Sequence, residues 1–415
     1  MRPPDGAVPG DAVDGPAALT ARRPELDALR LAVVLGLVLF HAALVFDASD
    51  PDFYVKNETT TEVTTILAGL AVVWAMPALF AVSGWAARRS LSRRSPGGFV
   101  RERLLRLGVP LLVATVLLLP FPVWVRERTR EGSDLSYAEL YRRFFDVRLE
   151  PAEAPFVVQG EHFESGHLWF VVLLLAWSLL LALAAAVLAR VAPRVVAPGG
   201  LDRVGRAAGR RGAVLLPATA TAALCVPGLE QEYAGWPRWA YLGFFLGGVV
   251  LGGDERLRVA LRRDAALAAV TGGVLFTGGL VAFLAADAAA SDAFTAMDAT
   301  GVTFRVLFGA AGWLFVVAIL GGLDRWALRR ASSRTSEATG RGTEVYAYLL
   351  AAGMPLYVLH QPVVVGVAAL VVPWRAPIVV ELAVVVVASA AVLLVVYDLG
   401  VRRWRLTRWA FGMRG

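Results

Sequence analysis

Long apolar stretches alternate with short polar segments rich in arginine along nearly the whole chain. A membrane-spanning helix needs about 20 mostly apolar residues, and ten stretches approach that length. The pattern therefore predicts an all-α, polytopic membrane protein with about ten transmembrane helices. These stretches lie at roughly 27–46, 63–87, 105–125, 167–189, 213–227, 239–252, 265–286, 302–323, 345–372 and 378–401.

The composition favours a membrane protein over a soluble one. Of the 415 residues, 57% are hydrophobic and 18% are charged. Soluble chains are about 45–50% apolar and about 25% charged, so a soluble fold could not bury this much apolar surface. The same numbers exclude disorder of the whole chain. The single cysteine, Cys225, excludes an intramolecular disulfide and a cysteine-rich metal site.

The distribution of positive charge explains the net charge of +7. With the N-terminus placed in the cytoplasm, the inner segments contain 30 of the lysines and arginines and the outer loops contain 9. An excess of basic residues in cytoplasmic segments is the usual signature of membrane topology. The sequence thus predicts an even number of spans with both N- and C-termini cytoplasmic. It leaves no support for nucleic acid as a partner.

The first span contains three ionisable residues, Asp27, Arg30 and His41, and such residues are costly inside a membrane and by default indicate function. Arg30 and His41 are eleven residues apart, so at 100° per residue they share one helix face. Their axial separation is about 16 Å at 1.5 Å per residue. A second interpretation stays open, in which Arg30 extends to the inner interface and His41 bonds to a neighbouring helix.

The other three histidines also fall in the outer half of the membrane or outside it. His360 lies at a depth similar to that of His41, while His167 opens the fourth span and His162 precedes it. A zinc site at His162 and His167 is disfavoured, because their spacing matches none of the common ligand patterns. The sequence therefore predicts no metal site.

A pair of arginines marks the cytoplasmic start of the third span. Arg103 and Arg106 are at i and i+3 and share a helix face. We expect them at a helix N-terminus, where free N–H groups and the helix dipole favour anions. The neighbouring arginines of the inner loop are interpreted as topological anchors instead. These are Arg88, Arg89, Arg93 and Arg94.

Five segments in this order resemble the membrane acyltransferases of the acyltransferase-3 type. They are ELDALRLAVVLGLVLFHAALVF (25–46), MPALFAVSGW (76–85), RERLLRLGVPLL (101–112), HLWFVVLLL (167–175) and MPLYVLHQP (354–362). The resemblance covers about residues 24–402. It divides the chain into a disordered cytoplasmic tail over 1–24, a membrane acyltransferase domain over 25–402 and a basic cytoplasmic tail over 403–415.

The resemblance implies transfer of an acyl group from cytoplasmic acyl-coenzyme A to a hydroxyl of an extracytoplasmic carbohydrate, in the cell membrane. It implies His41 as the general base. The further catalytic residues that we expect are Arg30, His360 and His167, and the expected donor-binding residues are Arg103, Arg106 and Ser83. Acyl-coenzyme A is then a co-substrate, with no resident cofactor, and the other partners are the carbohydrate acceptor and membrane lipid.

The same intramembrane arginine and histidine are compatible with a second hypothesis. A secondary transporter or flippase of a polar lipid or sugar would use them as a substrate site or proton relay. Such a transporter should have broken helices at corresponding positions of two halves of the chain. The sequence contains no such repeat, which favours the acyltransferase.

Overall fold

The structure is a computed structural model that describes residues 23–48, 50, 52–129, 132–191, 202–333 and 341–413. Residues 1–22 of the predicted N-terminal tail lie outside this set. The helices are α1 (Pro24–Leu44), α2 (Glu62–Val72), α3 (Ala75–Leu91), α4 (Pro96–Arg103), α5 (Val109–Leu117), α6 (Pro120–Thr129), α7 (Tyr137–Phe144), α8 (Trp169–Val191), α9 (Asp202–Ala207), α10 (Pro217–Cys225), α11 (Arg238–Leu251), α12 (Glu255–Ala288), α13 (Ala299–Ser333), α14 (Arg341–Val371), α15 (Ile378–Val395) and α16 (Arg405–Ala410). Two-residue strands, β1 (Arg148–Leu149) and β2 (Val158–Gln159), pair antiparallel in the loop between α7 and α8.

The prediction of an all-α, polytopic membrane protein is confirmed. Within the described residues, eight helical segments are long and apolar enough to cross a membrane. They are Pro24–Leu44, Glu62–Leu91, Pro96–Thr129, Gly166–Val191, Glu255–Ala288, Ala299–Arg330, Gly342–Trp374 and Ile378–Val401.

The fifth and sixth predicted spans coincide with shorter helices. The fifth falls on the apolar segment Ala213–Cys225, and the sixth falls on α11, which has 14 residues. At about 1.5 Å per residue α11 is about 21 Å long, less than the roughly 30 Å of a hydrocarbon core. The two helices follow each other along the chain. Counting or omitting both therefore leaves the number of spans even, and the predicted placement of both termini on one side is unaffected.

The second predicted span is interrupted next to a proline. α2 ends at Val72 and α3 begins at Ala75, and Pro77 cannot donate to the carbonyl of Val73 four residues earlier. The ninth predicted span behaves differently, because α14 runs unbroken through Pro355 and Pro362. Each of these prolines still removes one intrahelical hydrogen bond, which leaves a carbonyl without its usual donor.

The outward faces of the long helices are apolar, as lipid contact requires. On α12 the exposed side chains include Val270, Val274 and Val281, which are 67%, 64% and 62% exposed. Their spacing of four and seven residues places them along one face of the helix. In water such a continuous apolar face would be an aggregation hazard, whereas against hydrocarbon it costs nothing.

Two glycines let α3 and α11 pack backbone to backbone. A Cβ atom added at Gly84 would lie 1.9 Å from the carbonyl oxygen of Phe245, and one added at Gly248 would lie 1.8 Å from that of Ala81. Small residues at such crossings are typical of membrane helix pairs. The Ser-Gly step at residues 83 and 84 thus permits the close approach of the two helices. This contact also fixes the position of Ser83.

Candidate active site

A basic cavity of about 1330 Å³ lies at the end of the bundle where α1 and α14 begin. Guanidinium groups from α1, α3, α4 and the C-terminal segment converge there, so the cavity attracts anions. The arginines in its described lining are Arg23, Arg30, Arg89, Arg93, Arg94, Arg103, Arg106 and Arg408, and the acids are Asp27 and Glu102. Arginine pairs with phosphate through strong, geometrically specific hydrogen bonds.

Arg103 and Arg106 both line this cavity, in agreement with their shared helix face. The expected location at a helix N-terminus is wrong, because α4 begins at Pro96 and continues through a π-helical turn, Leu104–Gly108, into α5. The side chain of Ser95 caps that N-terminus by accepting from the Gly98 N–H at 3.2 Å. The attraction for anions at this point therefore comes from the guanidinium groups and not from the helix end.

The two arginines differ in how they are held. Arg103 lies over the ring of Phe99 at 4.8 Å, and its Nε is buried with no hydrogen-bond partner among the described residues. Arg106 instead lies 3.7 Å from Glu102, whose carboxylate also approaches Arg94 at 3.2 Å. A phosphate that enters the cavity would have to compete with Glu102 for the guanidinium of Arg106. At Arg103 it would find a donor that has no hydrogen-bond partner among the described residues.

The structure places Arg30 and Ser83 in the basic cavity. Arg30 donates to Asp27 at 3.0 Å and to the Val82 carbonyl at 3.1 Å, and Ser83 follows in the lining. Arg30 is about 16 Å along α1 from His41, given the helical rise. The geometry thus groups Arg30 with the residues expected to bind the donor and separates it from the expected base.

Sequence reasoning missed several residues of this cavity. Arg89, Arg93 and Arg94 were interpreted as anchors, and Arg408 was assigned to the C-terminal tail, yet all four line the cavity. The signal that was available is the density of arginines just before the Arg-x-x-Arg pair. Positive-inside topology accounts for each of them equally well, so only the folded arrangement separates a ligand-facing arginine from an anchor.

Three histidines meet deeper in the bundle, at the last turn of α1 and in the middle of α14. The ring of His360 lies between those of His41 and His167, with centroid distances of 4.9 Å to each. His41 also packs against Phe40 at 5.3 Å and Phe53 at 6.1 Å. The structure therefore brings together the three histidines that were expected to be catalytic, although they come from three distant segments of the chain.

α14 holds His167 by its main chain and by its ring. The His167 N–H donates to Gln361 Oε1 at 2.8 Å, and the Tyr357 hydroxyl donates to the His167 carbonyl. The His167 ring contacts the Val358 carbonyl through Nε2 at 2.9 Å. Tyr357 and Gln361 are neighbours of the cluster that the sequence pattern did not single out. The signal for Gln361 was a polar residue next to a histidine inside an apolar span.

Proline accounts for the acceptor that His167 uses. In a regular helix the Val358 carbonyl would accept from the N–H of residue 362, but residue 362 is proline and has none. The carbonyl is therefore available to the His167 ring. Gly166 makes the approach possible, because its φ is +46° and a Cβ there would lie 3.2 Å from the Tyr54 hydroxyl.

Charged and polar groups lie beside Gly166, at the edge of the histidine cluster. The Tyr54 hydroxyl donates to Glu164, and Arg126 donates to the same carboxylate at 3.0 Å. Burial, together with the negative charge of Glu164, raises the pKa of the Tyr54 phenol well above its usual range, so it stays a donor. His162 faces Glu127 at 3.5 Å and not the cluster. In the described part of the chain no group of three or more His, Cys, Asp or Glu side chains is placed to hold a metal ion.

These features define a polytopic membrane protein in which α1 and α14 both contribute to an anion-attracting cavity, where the two helices begin, and to a histidine cluster further along them. A family model described as an acyltransferase domain, Acyl_transf_3, matches residues 23–400. The chain therefore belongs to the acyltransferase-3 family and is a membrane acyltransferase. No curated protein and no solved structure matches the chain.

Proposed function

We propose that the protein moves an acyl group, acetyl, succinyl or similar, from cytoplasmic acyl-coenzyme A to a hydroxyl of an extracytoplasmic carbohydrate or glycan. One observation carries the proposal: α1 and α14 each contribute to both the basic cavity and the histidine cluster. On α1 these contributions are Arg30 and His41. On α14, Met354 lines the cavity and His360 lies six residues further, about 9 Å at 1.5 Å per residue.

This separation suits the shape of the donor. Acyl-coenzyme A has its phosphates at one end and its thioester at the other end of a long, flexible arm. The arginines would hold the phosphates, with Arg103 offering the open donor and Arg30, Arg106 and Ser83 beside it. Pro355 leaves the Ala351 carbonyl in the cavity without its helical donor, so this carbonyl is an acceptor for an amide N–H of the arm.

His41 is the residue that we assign as general base. Its Nδ1 is buried without a hydrogen-bond partner in the described structure. In the proposed step His41 takes the proton of the acceptor hydroxyl while the hydroxyl oxygen attacks the thioester carbonyl carbon. The carbon–oxygen bond forms, the carbon–sulfur bond breaks, and the coenzyme A thiolate takes the proton back from His41.

The outer side of the membrane supplies the acceptor in this proposal. The N- and C-terminal segments would be cytoplasmic, as the distribution of arginine predicts, and the cell membrane is the expected location. Within the family, the motifs are most similar to those of glucan biosynthesis protein C, a periplasmic glucan succinyltransferase. A glucan is therefore one candidate acceptor. Family membership favours acyl transfer over the transporter hypothesis.

The test uses isotope transfer in inverted membrane vesicles given labelled acetyl- or succinyl-coenzyme A. We expect label on envelope glycans with the native protein and a loss of about 10²–10⁴-fold in His41→Gln, because an amide cannot take the proton. The matched control is His162→Gln, which changes a histidine outside the cluster. Near-normal transfer in His41→Gln would refute the assignment of the base. Transport of the label without a covalent product would support the transporter instead.

A further inference from the structure

Besides Nδ1 of His41, two ring nitrogens in the histidine cluster are buried and have no hydrogen-bond partner in the described structure. They are Nδ1 of His167 and Nε2 of His360, in residues that are 5% and 0% exposed. A buried polar atom without a partner destabilises the folded state. Native proteins satisfy nearly all such atoms, so each unsatisfied one indicates a missing ligand or water.

The hydrogen-bonding role of each open nitrogen follows from the opposite side of its ring. His360 contacts the Tyr357 carbonyl through Nδ1 at 2.5 Å, and His167 contacts the Val358 carbonyl through Nε2 at 2.9 Å. A carbonyl oxygen only accepts, so the proton must be on the histidine nitrogen in both contacts. A neutral imidazole has one N–H, and its other nitrogen is then an acceptor. Both open nitrogens are therefore acceptors.

Two acceptors cannot bond to each other, even though the two rings lie 4.9 Å apart. His41 donates to neither nitrogen in the described structure, so the donors come from a water or another molecule that enters the cluster. We infer that His167 Nδ1 and His360 Nε2 form a subsite for two hydroxyl groups of a neutral polyol. A carboxylate or a phosphodiester has no proton to donate at neutral pH and is disfavoured here.

This subsite gives substrate binding and proton removal to different histidines. His360 and His167 would each accept from a hydroxyl that does not react, and so orient the molecule, while His41 faces the reacting hydroxyl. The identification of the polyol as the acyl acceptor rests on the proposed function. The protonation state of the two rings does not, and it is measurable without any transfer reaction.

Nitrogen-15 NMR of histidine-labelled protein in lipid nanodiscs tests the inference, since the chain has four histidines. We expect the N–H on Nδ1 of His360 and on Nε2 of His167. Glycerol, which carries neighbouring hydroxyls, should shift the signals of both open nitrogens, whereas 1,2-dimethoxyethane, with a similar skeleton and no donor, should not. The opposite ring protonation at either residue, no response to glycerol, or the same response to both probes would overturn the subsite.

A proline variant tests what fixes the His167 ring. In Pro362→Ala the restored N–H competes for the Val358 carbonyl, so His167 should also populate the form with its proton on Nδ1 and respond less to glycerol. Pro355→Ala is the matched control two turns earlier in α14, and it should leave the ring unchanged. An unchanged His167 in Pro362→Ala would show that release of the carbonyl is not what fixes the ring. If the NMR results are as expected but the native protein transfers no acyl group, only the proposed function is contradicted.

Discussion

Removal of the guanidinium group of Arg103 is the sharpest test of the donor site. Its Nε is buried and has no hydrogen-bond partner among the described residues. The Phe99 ring, 4.8 Å away, keeps the side chain at the cavity wall. A hydrogen bond to a charged group contributes about 1.5–3 kcal/mol net. Because 1.4 kcal/mol corresponds to a factor of ten, Arg103→Gln should weaken coenzyme A binding by about 10–150-fold.

The assay is calorimetric titration of detergent-solubilised protein with coenzyme A and with dephospho-coenzyme A. Arg101→Gln is the control, because Arg101 is exposed on the same helix and lies outside the cavity lining. The control should bind like the native protein. The difference between the two variants should shrink at high salt, since salt screens the charge of a solvent-accessible cavity. Equal affinity in the Arg103 and Arg101 variants would refute the assignment of this cavity to the donor phosphates.

Three further predictions concern charge, packing and topology. Glu102→Gln should tighten coenzyme A binding several-fold in the same titration, because it removes a carboxylate from the anion cavity; weaker binding would contradict this. Gly84→Ala should lower the thermal unfolding midpoint in detergent, with a cost of about 1–3 kcal/mol for overpacking, whereas Gly36→Ala, which meets open space, should not. With the buried native cysteine replaced by alanine, a cysteine at Asp292 should react with an impermeant thiol reagent from outside and one at Glu344 should not; the reverse would overturn the topology.

The sequence was sufficient for the parts of the fold that lipid dictates. An apolar stretch long enough to cross a bilayer has few alternatives to a helix, so the long spans were predicted at nearly their observed positions. The two short helices were overestimated because apolar composition alone does not reveal where a helix ends. α11 begins after Pro237 and ends at Leu251. Its buried apolar side chains pack against neighbouring helices and not against lipid.

The site residues were predictable where a polar or ionisable side chain interrupts an apolar span. His41, His167 and His360 are such exceptions, and similar depth was enough to suggest a common layer. Their actual contact depends on the packing of α1 against α14 and on the turn at Gly166, which no spacing along the chain encodes. The basic cavity was found only in part, because an arginine beside a ligand and an arginine beside lipid headgroups look the same in a sequence.

The prolines of α14 link the sequence pattern to the geometry of the site. Pro355 and Pro362 are seven residues apart, so the carbonyls that they release, at Ala351 and Val358, lie two turns apart on nearly the same helix face. Ala351 lines the basic cavity, and the Val358 carbonyl holds the ring of His167. A proline inside a helix costs about 3 kcal/mol in water, but within a membrane protein a neighbouring polar group can satisfy the freed carbonyl. At Val358 that group is an imidazole that is thereby left with an acceptor nitrogen on its other side. The residues of the Tyr-x-x-His-x-Pro pattern therefore act together. Pro362 frees the Val358 carbonyl, which orients His167, and the Tyr357 carbonyl orients His360.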